Sequence, residues 1–181
     1  MRYTTITLAI LILVLQAGCS SAPRSAAVGQ NRSADAKLTI DRFKRTDPSI
    51  SESFFKNAIA WAVFPDIGKA GFGVGGAYGK GVLYENGEVV GYCDLAQGSY
   101  GFQFGGQVYS EIIFFEHQHA LDEFKTGTFE FSAQASAVAA SADASANANY
   151  EHGVAVFTLA SKGLMYEAAI GGQKFDYTPK Y

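Results

Sequence analysis

Of 181 residues only two are cysteine, four are proline and three are histidine, and 17% carry charge. Two cysteines, Cys19 and Cys93, allow at most one disulfide, which excludes a miniature fold held by cystine staples. Cys93 sits in the apolar-rich VVGYCDLA, where a buried, inert thiol is expected. Lysine and arginine number 14 against 17 acidic residues, a net charge of −3. That balance argues against general nucleic-acid binding, which runs on excess positive charge, and against strong unspecific attraction to anionic lipid. The apolar run Leu8–Leu15 falls far below the roughly 20 residues needed to span a bilayer.

The start of the chain reads as an export signal. MRYTTIT carries one charge, Arg2, and is followed by the apolar LAILILVL and the small-residue QAGCSS, the three regions of a secretory leader. LQAGC resembles the bacterial lipobox, in which cleavage before a cysteine leaves that cysteine to carry lipid. Gln16 departs from the apolar residue usual at its position, and the alternative is an ordinary cut near Ala17–Gly18. The lipobox reading divides the chain into a signal peptide (1–18), a small and polar linker from lipidated Cys19 (19–33) and a single domain (34–181). Removing residues 1–18 of 181 leaves 163, with 13 basic and 17 acidic side chains, net −4. That length suits one core and is too short for two. Ser20 after Cys19 points to a palmitate-bearing lipoprotein on the periplasmic face of the outer membrane of a bacterial envelope.

A helix is expected from Ala34 to about Arg45, with Ala36, Ile40 and Phe43 on one stripe. Ser49-x-x-Glu52 spells a capping box for a second helix burying Phe54, Phe55, Ala58 and Ile59. AWAVFP, ending at Pro65, suggests a first short strand. After it the period changes to two. In Gly71–Tyr84 the even positions carry Phe72, Val74, Tyr78, Lys80, Val82 and Tyr84, whereas the odd ones are almost all glycine. Such a strand has one populated and one bare face, and the bare face suits close approach by another backbone. Asn86-Gly87 signals a type I′ hairpin. Further strands follow in Val89–Ala96, SYGFQFGGQVY and Glu111–Phe115. HQHALDEFKTG reads as a helix stopped by Gly127. Two thin strands are expected within Thr128–Tyr150, and a closing hairpin of Gly153–Ala160 and Leu164–Tyr177 about a Ser-Lys-Gly turn. The expected fold class is α+β: two N-terminal helices packed on a glycine-rich, mostly antiparallel curved sheet or partial barrel, with one inserted helix.

No motif for chemistry survives its structural requirements. Gly71-x-Gly73-x-x-Gly76 has the dinucleotide spelling, but AYGKGVLYENG cannot open the helix that would meet a pyrophosphate. Lys80 is followed by Gly81, so there is no phosphate loop either. Gln97-Gly98-Ser99-Tyr100-Gly101 misses the nucleophile elbow by one glycine, which leaves Ser99→Ala as the check on a hydrolase. Of His117, His119, Glu116 and Glu123, only His119 and Glu123 share a helix face, and a third metal ligand such as His152 would have to come from afar. The expectation is a protein without catalytic residues, metal, cofactor or nucleotide.

FPDIGKAGFGVGGAYGKGVL, GSYGFQFGGQ, LDEFKTGTFEFSAQASAVA and SKGL, in that order, resemble the SYLF family of lipid-binding domains over about Ser51 to Gly172. Met165-Tyr166-Glu167 and the plain Ala139–Asn149 depart from the family's habit. Eukaryotic members are associated with phosphoinositide membranes, helped by an amphipathic N-terminal helix, and yeast relatives with actin. The resemblance implies a non-enzymatic phospholipid-binding module, here anchored by Cys19, with the phospholipid membrane as partner and envelope proteins as further ones. The candidate head-group contacts are Arg42 and Arg45 on one helix face, Lys44, Lys69 and Lys80. The alternative is an envelope scaffold that binds protein through its curved sheet and uses its lipid only as a tether.

Overall fold

A computed structural model describes residues 23–127 and 137–180. The elements run α1 (Ala26–Thr46), a π-helical turn (Ser51–Phe55), β1 (Ala60–Glu85), β2 (Glu88–Phe115), α2 (Gln118–Thr126), β3 (Ala137–Ala139), a 3-10 turn (Ser145–Asn147) and β4 (Val154–Pro179). The sheet order is β1-β2-β4-β3, antiparallel except for β3 against β4. The chain is therefore α+β, with helices on a curved, unclosed, glycine-rich sheet.

The strands are far longer than the sequence pattern suggests. β1, β2 and β4 have 26, 28 and 26 residues. AWAVFP and the glycine-rich segment are one strand, because Pro65 lies on the edge strand at a bulge between Phe64 and Ile67, where a missing N–H costs no ladder bond. Its carbonyl still accepts the Ser110 hydroxyl at 2.6 Å. The Ser161-Lys162-Gly163 segment is likewise strand and not a turn. Of the thin strands expected after Thr128, only Ala137–Ala139 is found in the described part, and it pairs parallel.

Strands this long stay compact by folding over at mid-length. A bulge between Phe72 and Val74 coincides with Gly73 at φ 70°, and Gly105, paired with Gly71, lies at φ 120°. L side chains are strained in that region, so glycine is required at both. Beyond the bend the halves of β1 come back into contact. A Cβ on Gly79 would lie 2.6 Å from Ile67 Cγ1, and one on Gly81 only 2.8 Å from the Val63 carbonyl. The Asn86-Gly87 hairpin returns far enough for Asn86 N to donate to Ile59 O at 3.3 Å.

Folding over creates two apolar cores. Phe64, Ile67, Leu83, Leu95, Ile113, Phe115 and Phe175 fill the interior with Leu121 and Phe124 of α2. On the outer side Ala36 and Phe43 of α1 and Ile50 and Phe54 meet Val63, Val82, Ile112, Phe114 and Phe157. α2 begins on His117, whose Nδ1 accepts from Ala120 N at 3.4 Å, and ends at Gly127 with φ 69°. α1 starts at Ala26, capped by Ser25, eight residues before the expected boundary. Within the segment read as linker, Gly29 is a packing residue: it lies against Tyr92, whose ring also carries the Arg32 guanidinium at 5.4 Å. The second helix is reduced to the π-helical turn. Ser49 does not cap it, because its hydroxyl donates to Asp47 and meets Ser145 Oγ at 2.7 Å.

Candidate functional site

The bend carries the most exposed large apolar side chains among the described residues. Phe72 is 81% exposed and Val74 74%, and the half-exposed Tyr78 follows on the same strand. Beside them opens a groove of about 650 Å³, lined among others by Gly68, Lys69, Ala77, Gln97, Gly106 and Val108. Gly68, Gly76 and Gly106 contribute to its wall without a side chain.

Beyond the groove wall the interior turns polar. Gln97 and Gln173 are direct partners across β2 and β4, so their side chains share a face. Gln173 Nε2 donates to Glu111 Oε2 at 3.1 Å, joining the two halves of the folded sheet. All three residues are buried. Burial pushes the Glu111 carboxyl up to about 7, against the stabilising hydrogen bond from Gln173. Ser99 is buried on the same strand, in register with Gly75 and Gly171. It sits mid-strand and not on the strand-to-helix turn that a nucleophile elbow needs. Cys93 is buried, and burial holds its thiol well above the usual range.

The five candidate cations occupy different surroundings. Lys69 is buried along the groove beside the bend. Lys80 faces Asp94 in register and lines a second groove with Arg32, Asp35 and Asp66. Burial raises the Asp94 carboxyl, while Tyr78, Lys80 and Arg32 draw it back down. Arg42 is committed to the sheet, donating to Ser161 Oγ at 3.0 Å and Ser110 Oγ at 3.5 Å. Lys44 lies 4.5 Å over the Phe55 ring, and Arg45 is exposed at the helix end. Among the described residues, Lys69 and Lys80 thus lie in two separate grooves, and Arg42, Lys44 and Arg45 line neither of them. Cys19 lies outside the described residues. Among these, no helix is long and apolar enough to cross a membrane. α1 spends Ala36, Thr39 and Phe43 on the sheet, leaving Val28 and Leu38 as its large exposed apolar residues.

Phe72, Val74, Gln97, Glu111 and Gln173 were missed as site residues by sequence reasoning. The alternation did place Phe72 and Val74 on the populated face, but it could not show how exposed the two side chains remain. Glu111 in SEIIFF carried a readable signal, a carboxylate at an inward position of an apolar strand.

Residues 96–178 match the family model described as Ysc84: Las17-binding protein actin regulator. The match runs from Ala96, in the first half of β2, through Gly105, α2 and β3 to Thr178 of β4, and leaves β1 with Phe72 and Val74 outside. No curated protein matches the chain.

Proposed function

From the premise that this chain carries, over residues 96–178, a domain of the Ysc84 (SYLF) family, we propose that it is a non-enzymatic phospholipid-binding protein of a bacterial envelope membrane. The observation that carries the reading is the bend, where two large apolar side chains stand in solvent next to a groove containing a lysine. Exposed apolar groups rimmed by polar ones mark membrane or partner contact. Phe72 and Val74 enter the acyl boundary, and the groove takes the head-group. Lipid on Cys19 holds the domain at the bilayer, since several acyl chains anchor firmly where one does not. The tether places it at the periplasmic face of the outer membrane.

Sedimentation with vesicles tests the binding claim. The chain with Cys19→Ala should pellet with them, and Phe72→Ser/Val74→Ser should stay in the supernatant while melting like the parent. Equal pelleting of both would remove the bend from the reading. Palmitate labelling tests the anchor: Cys19→Ala should abolish it, and unchanged labelling would sink the lipobox. The family's printed description concerns protein binding, which favours a second reading as an envelope scaffold. A stoichiometric partner recovered from a chain that binds no vesicle would decide for it.

A further inference from the structure

Among the described residues, three buried oxygens on one connected row have no hydrogen-bond donor: Gln97 Oε1, Gln173 Oε1 and Glu111 Oε1. Their residues are 7%, 2% and 1% exposed. A buried acceptor left unmade costs about 1–3 kcal/mol, and native interiors hold few of them. Here the three are contiguous. Gln97 and Gln173 pair across strands, and Gln173 is bonded to Glu111. Gln97 also forms part of the groove wall beside Lys69, so the row reaches the groove at the bend. Amide oxygens only accept, so what Gln97 and Gln173 call for is N–H or O–H groups from a guest.

We propose that this groove binds a phosphate ester that carries its own hydrogen-bond donors, a primary ammonium or hydroxyl, with phosphate toward Lys69 and donors toward Gln97 and the Gln173–Glu111 pair. The inference rests on reading the groove as a head-group site and gives that site a chemical preference. A trimethylammonium of the same charge has no N–H. It would set methyl groups against the amide oxygens and leave them unsatisfied.

Phosphoethanolamine and phosphocholine differ only in those methyl groups, which makes them the matched probes. The full-length chain with Cys19→Ala is titrated calorimetrically with phosphoethanolamine, glycerol 3-phosphate and phosphocholine. It is also sedimented with vesicles of phosphatidylcholine alone and of equal parts phosphatidylethanolamine and phosphatidylcholine. The expected result is at least tenfold tighter binding of the donor-bearing esters, or a matching preference for the mixed vesicles. Gln97→Leu should erase the preference while raising the melting temperature, because it removes an unpaired acceptor. Gln97→Met serves if the leucine variant misfolds. A preference among soluble esters without pelleting on any vesicle would support the site and refute membrane binding. Pelleting that is equal on both vesicles, with no preference among soluble esters, would overturn the inference and leave membrane binding standing. No binding in either assay overturns both, and a preference unchanged in a folded Gln97 variant overturns the inference.

Discussion

At the scale of single residues, glycine is used for two different purposes, and substitution separates them. Gly81 is an approach residue: a side chain there meets Phe64 Cδ1 at 2.7 Å and the Val63 carbonyl at 2.8 Å, and a backbone oxygen cannot swing aside. Gly81→Val is expected to destabilise by about 1–3 kcal/mol, the usual cost of overpacking. Gly98 has open space around its Cβ direction and no positive φ. Gly98→Ala should therefore be neutral, or stabilise by about 0.5 kcal/mol through the unfolded chain. Urea unfolding of the two variants checks this, and equal midpoints would refute the approach argument. Glu111 gives a prediction in pH. Its carboxyl ionises at 4.5 in the unfolded chain and at about 7 in the fold. Below pH 4.5 both states are protonated and nothing is lost. Between pH 4.5 and 7 only the unfolded chain releases the proton, so stability falls as pH rises, by on the order of 3 kcal/mol once pH exceeds 7. Glu111→Gln keeps an acceptor for Gln173 and should flatten this slope. The urea midpoint gap between variant and parent should be larger at pH 8 than at pH 4.5, and a constant gap would refute the assignment.

At the scale of elements, legibility followed the range of the forces involved. The Asn86-Gly87 turn and the His117–Gly127 helix were readable because their caps and positive φ values are decided within a few residues. The strand lengths were not, because continuation through Pro65 and Ser161 depends on the edge position of β1 and on partners up to about 50 residues away. The start of α1 was missed for a similar reason, since Gly29 looks like linker until Tyr92 is found above it. The glycine-rich stretch was correctly legible as packing instead of a phosphate loop, yet the crowding falls at Gly79 and Gly81 beyond the bend. The two buried amides left no such trace as Glu111 did: Gln97 and Gln173 are polar residues of strands, and only tertiary pairing brings them together. α1 offers an element-level test. Arg42 fastens it to β2 and β4 through Ser110 and Ser161, so Arg42→Ala should cost about 1 kcal/mol. Faster amide exchange along α1 than in α2 would show that the loss is local to the helix.

For the whole molecule, the distribution of charge decides which force can bring it to a bilayer. The chain is net −3, and its candidate cations are spread over a helix end and two separate grooves. Arg42 is bonded to serines, and Lys80 shares its groove with Asp35 and Asp66. Among these five candidates, little remains to form the contiguous basic face that anionic lipid attracts. Exposed charges are also screened beyond about 10 Å at 0.1 M salt. Apolar contact at Phe72 and Val74 has no such dependence: burying a large apolar side chain is worth about 1.5–3 kcal/mol irrespective of surface charge. Vesicle binding should accordingly change less than threefold between 50 and 500 mM sodium chloride. Adding phosphatidylglycerol to phosphatidylethanolamine-containing vesicles should also change it little. Phe72→Ser/Val74→Ser should reduce binding at every salt concentration. A steep loss of pelleting with salt, paired with a small effect of the bend variant, would transfer the membrane contact from the glycine-rich bend to the cations of α1, and Arg45 and Lys44 would become the residues to replace.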